Sequence, residues 1–460
     1  MLDNRYAEFL ARKAPRAIAT GITPGEMPSH LFDFQAHCVD FALRQGRAGL
    51  YLDTGLGKTR CELEWSWQCI HNITGKAQAL ILTPLAVAKQ MEREGQELGY
   101  DCRVIRDQSE AMSGINICNY DRLDKLDVSE FGAVALDESS ILKSFGGKTS
   151  ASIISQFEGH RFRLSATATP APNDHMELGQ QSSFLGIMPA NEMLMRWFIN
   201  DTKEASQQWR LKRHAEDDFW DWMASWSRVA QNPEDLGFDG SRYVLPPLNI
   251  HKHHSAAMPV SSGGGLFGAD VSATNMHAVK RETANARADV MAMVSDNAEP
   301  FIAWCDTDYE ADALKARMKD AVEVRGSMRI EQKEENLEAF SLGHVRRIIT
   351  KPSVAGFGLN WQHCANMGFT GRSFSYEAWY QAVRRSWRFG QTRPVNVHLA
   401  VAEGEDQIGR VIDRKAGDHA AMKAAMVKAM RRAVNRNAAV KITYNPTHEG
   451  KVPSWLTSAA

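Results

Sequence analysis

A chain of 460 residues, 43% hydrophobic and 24% charged, has the balance of a globular protein, which excludes a mainly disordered or fibrous one. Its 54 Lys and Arg against 55 Asp and Glu leave a formal net charge of −1, so a polyanion partner must meet a local basic surface. No apolar run approaches the roughly 18–20 residues that span a bilayer, the N-terminal MLDNRYAEFLARKAPR lacks a secretory apolar stretch, and seven dispersed cysteines without a C-x-x-C pair argue for reduced thiols.

These features predict a soluble cytoplasmic protein with no membrane association, of two to four domains at roughly 100–200 residues each. The first strand-like runs are AGLYLD (48–53), ALILTP (79–84), INICNY (115–120), AVALDE (133–138) and FRLSAT (162–167). Helical patterns such as ELEWSWQCI and AVAKQMEREGQEL lie between them. Strands alternating with helices predict a parallel sheet covered on both faces, an α/β fold.

Residues 175–240 change character: they are polar and helix-like, yet carry Trp197, Trp209, Trp220, Trp222 and Trp226. Such rings either form the core of a helical insertion, the favoured reading, or stack on bases. Pro246, Pro247 and SSGGG (261–265) read as a linker. His251, His253 and His254 lack a Cys or carboxylate framework, so a solvated strand edge is favoured over a metal site. A second α/β series begins near Pro300 with FIAWCD, DYEADALKARMKD, VEVR, EQKEENLEAFSLG and RRIIT. Asp413 to Lys441 is rich in Ala, Met, Lys and Arg. It reads as a cationic helix that either tracks phosphate or packs, solvated, on the second unit. The predicted organisation is a first lobe (1–174), a Trp-rich helical insertion (175–245), a linker (246–275), a second lobe (276–412) and a basic helix and tail (413–460).

The sharpest local signal is Asp53-Thr54-Gly55-Leu56-Gly57-Lys58-Thr59, which ends a strand and opens a helix. Small residues let consecutive backbone N–H groups converge on phosphate oxygens at a helix N-terminus. Lys58 would reach the β- and γ-phosphates, and the Thr59 hydroxyl would ligate Mg²⁺. Leu52 stands where the strict pattern has Gly. Downstream, AVALDE ends in Asp137-Glu138. A carboxylate at a strand's end can hold Mg²⁺, and its neighbour can deprotonate the attacking water. Together the two segments predict an NTP site.

Further motifs, in order and spacing over roughly residues 30–410, resemble superfamily 2 helicases, specifically the Swi/Snf-like translocase branch. Leu31-Phe32-Asp33-Phe34-Gln35 is similar to the adenine-reading motif, and the resemblance puts Gln35 on the base. Thr54, Gly55, Leu56, Gly57, Lys58 and Thr59 match motif I, Thr83-Pro84 the backbone-contacting motif Ia, and Asn119-Tyr120 the short motif before the acidic strand. Asp137-Glu138-Ser139-Ser140 matches motif II, and Ser165-Ala166-Thr167 the coupling motif III. Phe301 to Asp306 resembles motif IV and Gly356-Phe357-Gly358-Leu359-Asn360-Trp361-Gln362 motif V. Gln381, Arg385, Arg388, Gly390 and Gln391 carry the Q-x-x-x-R-x-x-R-x-G-Q form of motif VI, the most specific signal in the chain.

The resemblance implies two RecA-like lobes of the P-loop NTPase fold, with ATP and Mg²⁺ between them. It gives Lys58, Asp137 and Glu138 catalytic roles and makes Arg388, beside Arg385, the arginine finger. Gln381 joins the coupling set, and Gly356, Gly358 and Asn360 join Thr83 and Pro84 on the DNA backbone. The implied partner is DNA, duplex favoured and single strand possible, read without sequence preference. Three departures stand out: Ser139-Ser140 replaces Ala-His or Gly-His, Phe374-Ser375-Tyr376 replaces a Trp-Asn-Pro segment, and the chain ends soon after motif VI. In these it looks like compact bacteriophage and bacterial helicases, which would place it in a bacterial host's cytoplasm. A strand-separating helicase and an ATP-binding switch with weak hydrolysis stay open as alternatives.

Overall fold

The computed structural model describes residues 16–72, 77–143, 147–172, 174–201, 208–255, 273–356, 358–402 and 406–439. The first strands are β1 (Arg47–Leu52), β2 (Gln78–Thr83), β3 (Cys102–Val104), β4 (Gly114–Asn119), β5 (Ala133–Asp137) and β6 (Phe162–Ala166). They are followed by β7 (Phe198–Asp201), β8 (Gln208–Leu211) and β9 (Ser227–Ala230). The first sheet has the order β3-β4-β2-β5-β6-β1-β9, and its pairings are parallel. β1, β2, β5 and β6 are buried almost end to end. Such burial on both faces explains why they read as continuous apolar runs and not as alternation.

The Trp-rich segment does not stand apart as an insertion. Its β9 adds to the outer edge of β1, pairing Gly49–Leu52 with Ser227–Ala230, and Ala230 O accepts Asp53 N–H at 2.9 Å. Trp197, Trp220, Trp222 and Trp226 belong to the first lobe's hydrophobic core, where Trp226 meets Tyr51 of β1 edge-on at 6.1 Å. The edge of β1 needs a hydrogen-bonding partner and its face an apolar cover, and this segment supplies both. β7 and β8 form a separate antiparallel ribbon.

The second lobe comprises β10 (Leu248–His254), β11 (Phe301–Trp304), β12 (Val322–Val324), β13 (Arg347–Thr350), β14 (Asn366–Phe369) and β15 (Val395–Val401). Their order is β10-β15-β14-β11-β13-β12, again parallel. The expected linker therefore starts too early: residues 248–254 are an edge strand paired with β15, and SSGGG lies outside the described residues. The histidines line this edge as expected, His253 Nε2 standing 3.0 Å from His398 Nδ1.

The C-terminal helix Asp406–Ala439 corrects another expectation. Ile408 and Ile412 pack with Tyr376 of the second lobe, but Met422, Met426 and Met430 enter the first lobe's core. Arg431 pairs with Asp235 at 3.1 Å and Arg432 with Asp217 at 2.9 Å. The helix is thus a strap across both lobes, since its methionines fill the first lobe's core while its first turns pack on the second. Residues 440–460 of the predicted tail lie outside the described residues. No helix among the described residues is long and apolar enough to cross a membrane.

Candidate nucleotide site between the lobes

The phosphate loop leaves the C-terminal end of β1, and its glycines have steric reasons to be there. Gly55 and Gly57 sit at φ +92° and +77°, a region that penalises side chains. A Cβ on Gly57 would lie 2.2 Å from Gln35 Nε2, and one on Gly55 2.8 Å from Phe389 N of the second lobe. Gly57 caps the helix Lys58–His71 without a side-chain hydrogen bond, so the first amides of that helix keep their capacity for an anion. Gln35 is buried; its Nε2 donates to Leu56 O at 2.9 Å, while its Oε1 accepts Phe32 N–H at 3.0 Å. Lys58 Nζ donates to Leu52 O at 3.0 Å.

The acidic pair ends β5, one strand removed from β1, and the end of β6 lies between them. Asp137 Oδ2 accepts the Thr83 hydroxyl at 2.7 Å, and Asp137 O accepts Tyr120 Oη at 2.7 Å. Burial and the neighbouring Glu138 push the Asp137 carboxyl up to about 7, against the Thr83 bond and Lys58. Glu138, at φ +53°, is the one non-glycine with positive φ among the described residues. Backbone strain of this kind, about 1–3 kcal/mol, persists where surroundings enforce it. Here the Thr167 hydroxyl helps by donating to Glu138 Oε2 at 3.2 Å.

The hydrogen bonds that connect Glu138 with the second lobe bypass Ser140, which stands where the resemblance leads one to expect histidine. Thr169 N donates to Thr167 Oγ1 at 3.1 Å, and Gln381 Nε2 donates to Thr169 Oγ1 at 3.3 Å. Gln381 Oε1 in turn accepts Arg385 Nη2 at 3.0 Å. A hydrogen-bonded path thus runs from Glu138 to Arg385 of the other lobe. Ser140 has no place in it, and Ser139 Oγ is buried without a partner. Ser165 and Ala166 lie within β6, Ser165 Oγ standing 3.1 Å from Tyr51 Oη.

Arg385 and Arg388 both reach Leu359 O, at 3.1 and 3.2 Å. Burial pushes Arg385 down to about 10 against the opposing charge of Glu138, and pushes Arg388 to about 9 with the Arg385 and Arg384 guanidiniums adding to it. Both stay cationic at neutral pH, and the crowding makes the cluster receptive to an anion. Gln35, Thr54, Gly55, Gly57, Lys58, Thr59, Asp137, Glu138, Arg385 and Arg388 line one cavity of about 300 Å³. Leu56 is buried beneath the loop.

Some expected nucleic-acid contacts fall elsewhere. Thr83 is buried with its hydroxyl committed to Asp137, so its side chain offers no contact to a backbone. Gly358 and Asn360 line the nucleotide cavity; a Cβ on Gly358 would lie 1.9 Å from Val87 Cγ2 of the first lobe. Gly356 is buried at the end of the helix Pro352–Ala355, and Phe357 lies outside the described residues. Pro84 lines a different interlobe cavity of about 470 Å³, with Asn119, Ser140, Lys143, Lys333 and Ser353. Beside it Lys89, Arg103, Arg106 and Arg122 line another cavity of about 300 Å³. Sequence reasoning missed these cations because they are scattered over several elements. It also missed Arg384 and Tyr380 of the second lobe, which meet Asp53, although Arg384 lies within the motif VI segment and Tyr380 just before it.

The comparisons agree with this architecture. The family model of the helicase conserved C-terminal domain matches residues 286–390. DNA 3'-5' translocase XPB2 of Sulfurisphaera tokodaii is 31% identical over 150 residues, a span of 31% of this chain and 32% of that protein. This chain therefore matches about a third of that relative's length. Among solved structures, S. cerevisiae Dbp5 bound to RNA and ADP BeF3 superposes with a TM-score of 0.55 at 13% identity, over 86% of this chain and 93% of that one. The likeness to Dbp5 shows the fold: two RecA-like lobes built on parallel sheets. Fold, matched domain and translocase relative together support a superfamily 2 helicase.

Proposed function

We propose that this chain is an ATP-dependent DNA translocase or helicase of the Swi/Snf-like branch, akin to compact bacteriophage and bacterial enzymes. One observation carries the reading: Lys58, Asp137 and Glu138 of the first lobe line the same cavity as Arg385 and Arg388 of the second. The residues fit Mg²⁺, since Asp137 and Thr59 offer hard oxygens there and this ion completes its shell with substrate phosphates and water. When bound, it would neutralise charge on the transferred phosphoryl group.

The chain's own residues do the rest. Amides of the Gly55–Thr59 segment and Lys58 hold the β- and γ-phosphates, and Glu138 accepts a proton from the attacking water. Arg388 and Arg385 meet charge that develops on the γ-phosphoryl, contacts available only while the lobes are together. Loss of that phosphate through hydrolysis removes the contacts and favours separation. The path through Thr167, Thr169 and Gln381 gives each lobe a means to bias the other. A nucleic-acid strand would follow the interlobe cavities beside Pro84, gripped at phosphates by Lys89, Arg103, Arg106, Arg122 and Lys143. Such binding is independent of sequence and weakens with salt.

The test is ATP turnover titrated in parallel with duplex DNA, single-stranded DNA and RNA at fixed salt. Stimulation that is largest with duplex DNA is expected, together with loss of turnover in Lys58→Ala at unchanged melting temperature. Wild-type turnover in Lys58→Ala would remove the site, and absence of nucleic-acid stimulation would favour an ATP-binding switch.

A further inference from the structure

Asp53, immediately before the phosphate loop, is 8% exposed, and its carboxylate gathers partners from two distant parts of the chain. Its carboxylate accepts its neighbour's Thr54 N–H at 2.7 Å and the Tyr380 hydroxyl. It stands 3.4 Å from Arg384 Nη2 and 3.6 Å from Lys423 Nζ. Arg384 also donates to Thr54 O at 2.7 Å, and Lys423 to Tyr380 Oη at 3.3 Å. Lys423 belongs to the strap helix and is 6% exposed.

A buried ammonium weakens packing unless its charge is used. Replacing buried ion pairs by apolar side chains of similar volume is often neutral or stabilising. The same helix does so at Met422, Met426 and Met430, which fill the first lobe's core. At 423 a lysine extends instead to the carboxylate at the root of the phosphate loop. Asp53 governs the loop's shape: its carboxylate orients the Thr54 amide, and its carbonyl accepts Leu56 N–H at 3.2 Å. These bonds lead directly into the left-handed Gly55 and Gly57.

We infer that Lys423 is a positioning residue of the nucleotide site, which by pairing with Asp53 fixes the phosphate loop and ties it to the C-terminal strap. The inference rests on the ATP reading above and deepens it. Lys423 does not line the nucleotide cavity, so it acts through Asp53 and touches neither substrate nor reacting atoms. Loss of Lys423 leaves Asp53 with Arg384 and Tyr380, so the loop loosens without collapsing. Small misplacements of a phosphate cradle lower the rate of the chemical step more than they weaken ground-state binding.

The test measures kcat and KM for ATP in the full chain with saturating DNA. Lys423→Met keeps side-chain volume and is expected to lower kcat about ten-fold with KM changed less than about two-fold. Lys423→Arg restores the charge and should recover kcat to within about three-fold. Arg432→Ala breaks only the strap's surface pairs with Asp217 and Asp221; it reports loosened docking and should turn over as wild type. Adding Lys423→Met to Asp53→Asn should change kcat by less than about two-fold, since both act at one point. Wild-type kcat in Lys423→Met, an equal loss in Arg432→Ala, or multiplying effects with Asp53→Asn would each overturn the inference. Lys423→Gln takes the place of the methionine variant should that one be insoluble. A wild-type chain without DNA-stimulated turnover defeats the functional reading, whereas a stimulated wild type with an unaffected Lys423→Met defeats this inference alone.

Discussion

Glu62 lies one turn into the helix behind the phosphate loop, fully buried, with neither carboxylate oxygen hydrogen-bonded. Burial first, then the nearby Asp137, holds its carboxyl well above the usual range, with Lys58 opposing. A carboxyl raised in the folded state contributes stability below its unfolded pKa and loses it as pH climbs toward the folded value. Asp137, raised to about 7, behaves alike, so between pH 5 and pH 8 both destabilise the fold. Glu62→Met is therefore expected to raise the unfolding free energy by about 1–3 kcal/mol at pH 8, the typical cost of an unsatisfied buried polar group. The gain should shrink at pH 5, and urea unfolding at the two pH values measures it. None of this was legible in the sequence, because a glutamate inside an amphipathic stretch reads as solvated until its neighbours are known.

At the scale of elements, the strand-to-helix turn at 53–59 was legible in full, since local chemistry alone demands small residues and an amide-rich helix start. Gly57→Ala meets both the left-handed backbone and Gln35. It is expected to cost about 1–2 kcal/mol and to raise KM for ATP by at least about ten-fold, as a displaced loop loses phosphate contacts. Nucleotide titration and thermal melting check the two parts separately. The run SRVA of β9 was illegible for the opposite reason. Four residues carry no periodicity, and only the bare edge of β1 makes them a strand. Edge strand β10 was legible only in part: its histidines read as a solvated strand edge, while the two prolines before it drew the segment into the predicted linker.

For the whole molecule, contacts that join the lobes include the ion pairs Arg384–Asp53 and Arg93–Glu338, and the strap helix packs on both. Arg388→Ala is expected to reduce kcat by roughly 10²–10³, the scale of a lost transition-state contact, while a fluorescent ATP analogue still binds lobe one. The strap's contribution lies in its apolar face. Met426 is fully buried in the first lobe's core, so Met426→Ala should destabilise that lobe by about 2–5 kcal/mol although the residue follows the second lobe in the chain. Calorimetry would register it as an earlier first-lobe transition. Unchanged melting would mean that the strap does not dock as described.

What the sequence determined by itself was local. Apolar runs marked eight strands within two residues, local strand-to-helix chemistry marked the 53–59 loop and the acidic pair, and the family resemblance marked the arginine motif. Those signals survive in one dimension because backbone geometry and phosphate chemistry constrain residues only a few positions apart. The tertiary structure decided how the segments meet. It made β9 part of the first sheet, carried the path from Glu138 to Arg385 through Thr169, committed the Thr83 hydroxyl to Asp137, and brought Lys423 to Asp53. Long-range pairing of buried charges and strand edges depends on which surfaces the folded chain leaves without a partner, and no window of sequence contains both sides of such a contact.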